Sequence, residues 1–335
     1  MPTLKDIATR CATSITTVSR VLNFDKTLSV SDVLKRQIFE VAAELNYQSP
    51  RQKKEAKKTH HIGIIHWYDN VQEIDDPYYL DIRKGIEQYS SKQEIKTTLL
   101  YKQGDRFQLD LLKEVDGIIC IGKFSKKQIE KFTKITENIV FVDSSPDVDR
   151  FDSVVIDFRK AVSDIVDEIL KSGKKTIGYI GGAEEVDHER YLGERRELEF
   201  RGLLKLNQLY QPNHFHIGSF TLDSGYTIMK EIIQSGKIAQ VYFCANDAIA
   251  IGALRSCHEE GLKIPEDVSL IGFNDSSMSA YMTPPLTTVK VFTMLLGEEA
   301  VESVMQRINR RMIPIRKIIP TKFIYRGSFL KGDLK

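Results

Sequence analysis

Ser14-Ile15-Thr16-Thr17-Val18-Ser19-Arg20-Val21-Leu22-Asn23 is the stretch on which the N-terminal fold turns. Ser14 can cap a helix, and Ile15, Val18, Val21 and Leu22 recur at helical spacing behind it. With Val18, Val21 and Leu22 facing inward, Ile15, Thr16, Ser19 and Arg20 are left facing outward. Leu4, Ile7, Ala8 and Cys11 mark a helix upstream, and only Ala12 and Thr13 separate the two. That is the short connection of a helix-turn-helix. Ser31 can cap a third helix that turns Leu34, Ile38, Val41, Ala42 and Leu45 inward. A small all-α unit over residues 1–47 follows.

Residues 48–60 carry six charged side chains and one small apolar residue, Ala56. Such a segment cannot build a core and reads as a linker. Residues 1–60 hold eleven Lys/Arg and six Asp/Glu, a balance of +5; the whole chain is +2, so the remainder is −3. A basic head on a slightly acidic body points to nucleic acid at one end.

From His61 the pattern changes. Apolar runs at 62–65, 97–101, 117–121, 139–142, 176–180, 241–245 and 268–271 read as buried parallel strands. Helical stretches at 77–90, 161–172, 195–207, 224–234, 248–260 and 295–311 alternate with them. This is a doubly wound α/β pattern, too long for one sheet, so two lobes are expected. No run of 18 apolar residues exists, so no membrane span is expected. The N-terminus lacks an apolar signal core, which favours the cytoplasm. Cys11, Cys120, Cys244 and Cys257 fit neither a zinc site nor a disulfide framework.

Other chemistry fails on spacing. Gly173 to Gly182 lacks the ending of a phosphate loop. The adjacent acids Asp75-Asp76, Glu184-Glu185 and Glu259-Glu260 point apart, the histidines lack metal spacing, and no Gly-x-Ser-x-Gly elbow occurs. No catalysis, metal or cofactor is expected.

The blocks Leu4-Lys-Asp-Ile-Ala8, Ser14 to Asn23 and Ala43-Glu-Leu-Asn-Tyr47 resemble, in content and spacing, the DNA-binding head of the LacI/GalR family of repressors. The resemblance runs through nearly the whole chain. It implies a recognition helix in the major groove, with Arg20 bidentate to guanine and Ile15 and Thr16 reaching a thymine methyl and a base or phosphate. Thr3, Ser14, Thr17, Ser19 and Asn23 suit phosphate positioning, and Arg51, Lys53 and Lys54 of the linker can track phosphates. Two departures stand out. Ala12 occupies a turn position where the family usually has Gly; a left-handed conformation there would cost about 1 kcal/mol, so a differently shaped turn is expected. The linker also lacks the Leu that wedges into the minor groove in many relatives.

The sensor carries family blocks too: Val115-Asp-Gly-Ile-Ile119, Ala245 to Gly252, Ser269 to Asp275, and Pro284-Pro-Leu-Thr-Thr-Val289. The resemblance implies a periplasmic-binding-protein-like sensor over 61–335, with one lobe at about 61–157 and 286–314 and the other at about 158–283 and 317–330. It places Arg196, Asn246 and Asn274 at effector positions. Asp143, at the end of a strand, can accept hydroxyl hydrogen bonds, and Trp67, Tyr68, Asp76 and Tyr79 offer an aromatic platform for a sugar. In pattern the chain is most similar to the galactose-operon repressors of Gram-positive bacteria, by Ser29-Val-Ser31, Asp76-Pro-Tyr-Tyr79 and Ile119 to Phe124. The expected function is repression of a sugar-utilisation operon by a homodimer that binds operator DNA and is released by a small sugar effector, galactose or a galactoside first. The competing classes are a solute-binding protein without DNA function and a sugar-metabolising enzyme.

Overall fold

The computed structural model describes residues 3–22, 25, 28, 30–45, 47, 59–69, 77–104, 106–186, 189–190 and 194–331. The chain forms two compact units, Met1–His60 and His61–Lys335.

The first unit contains α1 (Leu4–Arg10), α2 (Ile15–Leu22) and α3 (Asp32–Glu44). Thr3 and Asp6 close a capping box at the start of α1, and Ser31 caps α3. The core is Ile7, Ala8, Cys11, Val18, Val21, Ile38 and Ala42. Ala12 sits at φ 47°, so the expectation of a differently shaped turn is overturned. The left-handed turn forms without a glycine, because Thr13 N–H donates to the Ala8 carbonyl at 3.0 Å and the two flanking helices fix the chain on either side.

The second unit holds two parallel sheets. In chain order the first lobe runs β1 (His61–His66), α4 (Tyr78–Lys92), β2 (Lys96–Tyr101), β3 (Gly117–Ile121), α5 (Lys126–Thr133), β4 (Ile139–Val142) and β5 (Asp152–Ile156). The chain then crosses to α6 (Phe158–Lys171), β6 (Ile177–Gly182), a short ladder β7 (Glu185–Val186) and β8 (Glu189–Arg190), α7 (Arg195–Leu206), β9 (Phe215–Gly218), α8 (Leu222–Gln234), β10 (Val241–Cys244), α9 (Asp247–Glu259) and β11 (Ser269–Ile271). It returns through β12 (Thr288–Val291) to α10 (Thr293–Ile308) and β13 (Arg316–Ile319), and leaves again through β14 (Thr321–Ile324). Sheet order is β13-β5-β4-β3-β1-β2 in the first lobe and β11-β10-β6-β9 in the second. Residues 317–319, expected in the second lobe, therefore belong to the first sheet. They pair with β5 because Asp152, fully buried at its start, accepts from Arg307 at 3.1 Å, from Arg311 and from the Ile315 N–H at 3.1 Å. That carboxylate ties the end of α10 to the approach of β13.

Each lobe has one helix pair in backbone contact. A Cβ on Gly85 would lie 2.3 Å from the Met294 carbonyl oxygen, and one on Gly252 would lie 1.9 Å from that of Leu222. Only glycine lets α4 meet α10, and α8 meet α9, so closely. The antiparallel β12–β14 ladder carries two of the crossings between lobes. Asp275 accepts from Arg326 at 2.6 Å and Lys290 at 3.2 Å, binding the second lobe to that ladder.

Candidate functional site

In the head, Ile15 is 48% exposed at the N-terminus of α2, and Ser14 and Thr16 beside it are exposed. The Ser14 hydroxyl accepts from the Thr17 N–H at 3.0 Å, which makes Ser14 the cap of α2, and shares a hydrogen bond with the Thr17 hydroxyl at 2.8 Å. Thr3 is likewise engaged in capping α1. Ser19 is half-buried. Arg20 Nε donates to Asp25 at 2.7 Å, which orders the long side chain along the helix. Asn23, Arg51, Lys53 and Lys54 lie outside the described residues, as does Asp76 of the sensor.

The cleft between the lobes is built at the C-terminal ends of both sheets, where open α/β sheets bind ligands. On the first lobe Asp143 follows β4 with φ 65°. It is buried, and its two oxygens accept from Tyr78 at 2.9 Å and Tyr79 at 2.8 Å, both from the first turn of α4. Burial and the neighbouring Asp143 hold the Tyr79 phenol well above its ordinary range, so it remains a donor. Tyr68 lines the same space, its ring 4.8 Å from that of Tyr79. Trp67 is set back from the lining: its backbone N–H bonds the Ile121 carbonyl, and its ring lies beneath Lys123.

On the second lobe Arg196 opens α7. Its Nε donates to Glu194 at 2.7 Å and its Nη1 to the Ala245 carbonyl at 2.5 Å. Phe158, Phe220 and Phe273 surround it, with ring centres 5.3–5.8 Å from the guanidinium carbon. Burial opposes the charge on Arg196, but Glu194, Tyr179 and Glu184 more than offset it and raise its pKa. Burial likewise pushes the Glu194 carboxyl up, and Arg196 and Lys123 overcome that and hold it below the usual range. Asn274 lines the cleft with φ 112° and is buried. Asp143 and Asn274 thus both sit in left-handed backbone, a strain that Asp and Asn tolerate better than other side chains.

Asn246 differs from the expectation. Its Oδ1 caps α9 by accepting from the Ile249 N–H at 2.9 Å, and its Nδ2 donates to the Phe220 carbonyl at 3.1 Å. It is not among the residues lining the cleft cavity. In this arrangement both ends of its amide are engaged within the second lobe.

Sequence reasoning missed three residues. Lys123, after β3, reaches across to Glu184, after β6, and Glu194 anchors Arg196. Burial pushes the Glu184 carboxyl up, with Lys123 pulling against it. Read as one of an adjacent acid pair, Glu184 carried no signal of this. The cavity left between these groups is about 20 Å³, room for one water and not for a sugar ring.

Comparison with known proteins agrees with this architecture. Residues 3–49 match the model for bacterial regulatory proteins of the lacI family, and residues 166–329 match a periplasmic binding protein-like domain. The chain is 36% identical to the HTH-type transcriptional repressor MelR of Bacillus subtilis, over 98% of this chain and 97% of that protein. It is also 36% identical to the HTH-type transcriptional regulator GalR of Streptococcus thermophilus, over 98% and 99%. Among solved structures, the transcriptional regulator CelR–cellobiose complex superposes with a TM-score of 0.71 at 23% identity, covering 98% of this chain and 100% of that one. The lac repressor dimer bound to operator and an anti-inducer gives 0.69 at 22% identity, covering 98% of each.

Proposed function

The chain belongs to the lacI family of bacterial regulatory proteins, and on that premise we propose that it holds a near-palindromic operator as a homodimer and releases it when a small sugar enters the cleft. It is a DNA-binding transcriptional repressor of the sugar-operon type, working in the cytoplasm as a regulator rather than an enzyme. The observation that carries the sugar reading is Arg196, a buried cation inside three phenyl rings, facing an Asp143 carboxylate dressed in tyrosine hydroxyls. Aromatic walls with a few fixed polar groups suit a pyranose. Arg20, Ile15 and Thr16 are the proposed base readers, with Ser14, Thr17, Ser19, Thr3 and Asn23 on phosphates. Galactose or a galactoside is the first sugar to try, from the resemblance to galactose-operon repressors.

A sugar shifts operator affinity only by the difference in its contacts with the two lobe arrangements, and about 1–3 kcal/mol of coupling is usual. On the second lobe, the exposed Leu222 and Tyr281 lie beside Ile251 and Met282 with Asp223, Arg255 and Glu259 around them, a mixed apolar and charged surface suited to the second copy. The test is a thermal-shift screen of mono- and disaccharides on the full chain, followed by operator titration with each hit. Arg196→Ala should abolish the shift; a variant that binds and responds normally would remove the cleft from the mechanism.

A further inference from the structure

Arg196 and Glu194 belong to the same lobe and stay together however the lobes move. Lys123 and Glu184 do not. Lys123 follows β3 on the first lobe and Glu184 follows β6 on the second, so their ion pair spans the cleft. Both side chains are withdrawn from water, Lys123 at 17% exposure and Glu184 at 5%. Glu184 Oε1 takes the ammonium, while the buried Oε2 meets no hydrogen-bond donor among the described residues. A buried carboxylate oxygen without a donor is a standing cost, relieved by any donor that enters beside it. The Lys123 ammonium lies 5.8 Å from the ring centre of Trp67, the one tryptophan of the sequence.

We propose that Lys123 and Glu184 form a subsite, split between the lobes, that binds a hydroxyl of an unphosphorylated sugar: the hydroxyl donates to Glu184 and accepts from Lys123. The proposal rests on the sugar reading of the cleft. A hydroxyl both donates and accepts, so it can stand between an ammonium and a carboxylate and restore the tie across the cleft. A phosphate only accepts. It would face the Glu184 carboxylate, with the Arg196 guanidinium already committed to Glu194. The split pair therefore selects for the hydroxyl it holds, and against a sugar phosphorylated at that hydroxyl.

The experiment uses the full chain, Trp67 fluorescence and calorimetry, with D-galactose, its 2-, 3-, 4- and 6-deoxy derivatives and galactose 6-phosphate as probes. Wild type should lose about 10- to 100-fold in affinity for one deoxy sugar, the range of a charged hydrogen bond. Glu184→Gln should weaken galactose by a similar factor and lose nothing further for that same deoxy sugar. The double variant Lys123→Met/Glu184→Met strands no charge and covers the case in which the single variant misfolds. It should show the same non-additivity. Where the 6-deoxy sugar is the one penalised, galactose 6-phosphate should bind wild type at least about tenfold more weakly than galactose, and less so in Glu184→Gln. Variants that keep the full wild-type penalty for every deoxy sugar overturn the subsite, as does tighter binding of galactose 6-phosphate where the 6-deoxy sugar is the one penalised. If Arg196→Ala abolishes galactose binding while the Glu184 variants behave as wild type, the subsite alone falls. If wild type binds neither galactose nor any sugar of the thermal-shift screen, or Arg196→Ala binds its sugar normally, the sugar reading falls and takes the subsite with it.

Discussion

The two walls of the cleft solve the same problem in opposite ways. The first-lobe wall holds a carboxylate, Asp143, satisfied by two tyrosine hydroxyls. The second-lobe wall holds a cation, Arg196, satisfied by a buried carboxylate and a backbone carbonyl inside a ring of phenyl groups. A sugar hydroxyl can replace a tyrosine hydroxyl one for one. Nothing in a sugar can replace Glu194. The first wall is thus a place of exchange and the second a fixed post, and damage to them should differ in kind.

The largest expected effect is at the post. Arg196→Ala leaves Glu194 buried without its counter-charge and should cost about 3–5 kcal/mol of stability, besides the sugar response. Denaturant titration checks it; a loss under about 1 kcal/mol would erase the distinction between the walls. At the exchange wall, Tyr79→Phe removes one donor from Asp143 and should cost about 1.5–3 kcal/mol in the empty protein. The loss should shrink at saturating sugar, because the ligand supplies a hydroxyl in its place. Thermal melts with and without sugar decide this, and an undiminished loss would make Tyr79 a structural residue only.

The smallest effect is one of pH, and the walls should fail at opposite ends. The Glu194 carboxyl is held below its ordinary value, so its contribution is present above the ordinary glutamate range and is lost as pH falls through the folded value. The Tyr79 phenol is held above its ordinary value, so its contribution is full below about pH 10 and is lost as pH rises toward the folded value. Glu194→Gln should flatten the acid limb of the stability profile and Tyr79→Phe the alkaline limb. Stability measured at pH 3–5 and again at pH 9–11 would show whether each variant flattens the wrong limb.

What the sequence discloses follows what local pattern can encode. The three head helices repeat apolar residues at helical spacing, and the buried parallel strands are plain apolar runs. Two strands of the first sheet escape that reading. β5 opens on Asp152, an acid that is buried because Arg307 and Arg311 arrive more than 150 residues later. β13 opens on Arg316-Lys317 at a sheet edge, where charge is tolerated. α5 is short and largely polar. At the cleft, Asp143, Tyr79, Arg196 and Asn274 are legible because strand ends and family blocks mark them. Glu184 is not, since its partner comes from the other lobe and no spacing along the chain points to Lys123. The left-handed Ala12 is invisible for a related reason: what enforces it is the docking of its neighbours.

The interleaved order of the lobes sets a timetable for synthesis. The sheet begun first is finished last: β1 to β5 leave the ribosome early, but α10, which packs on β3, β4 and β5, and β13, which closes the edge, come after the entire second-lobe sheet. At about 5–20 residues per second, the wait between Ile156 and Thr293 lasts roughly seven to twenty-seven seconds. Throughout it, apolar strand faces of the first lobe stand uncovered, and by its end the second lobe has all four of its strands. Of the two lobes, the nascent first is the one that waits longer for its own elements.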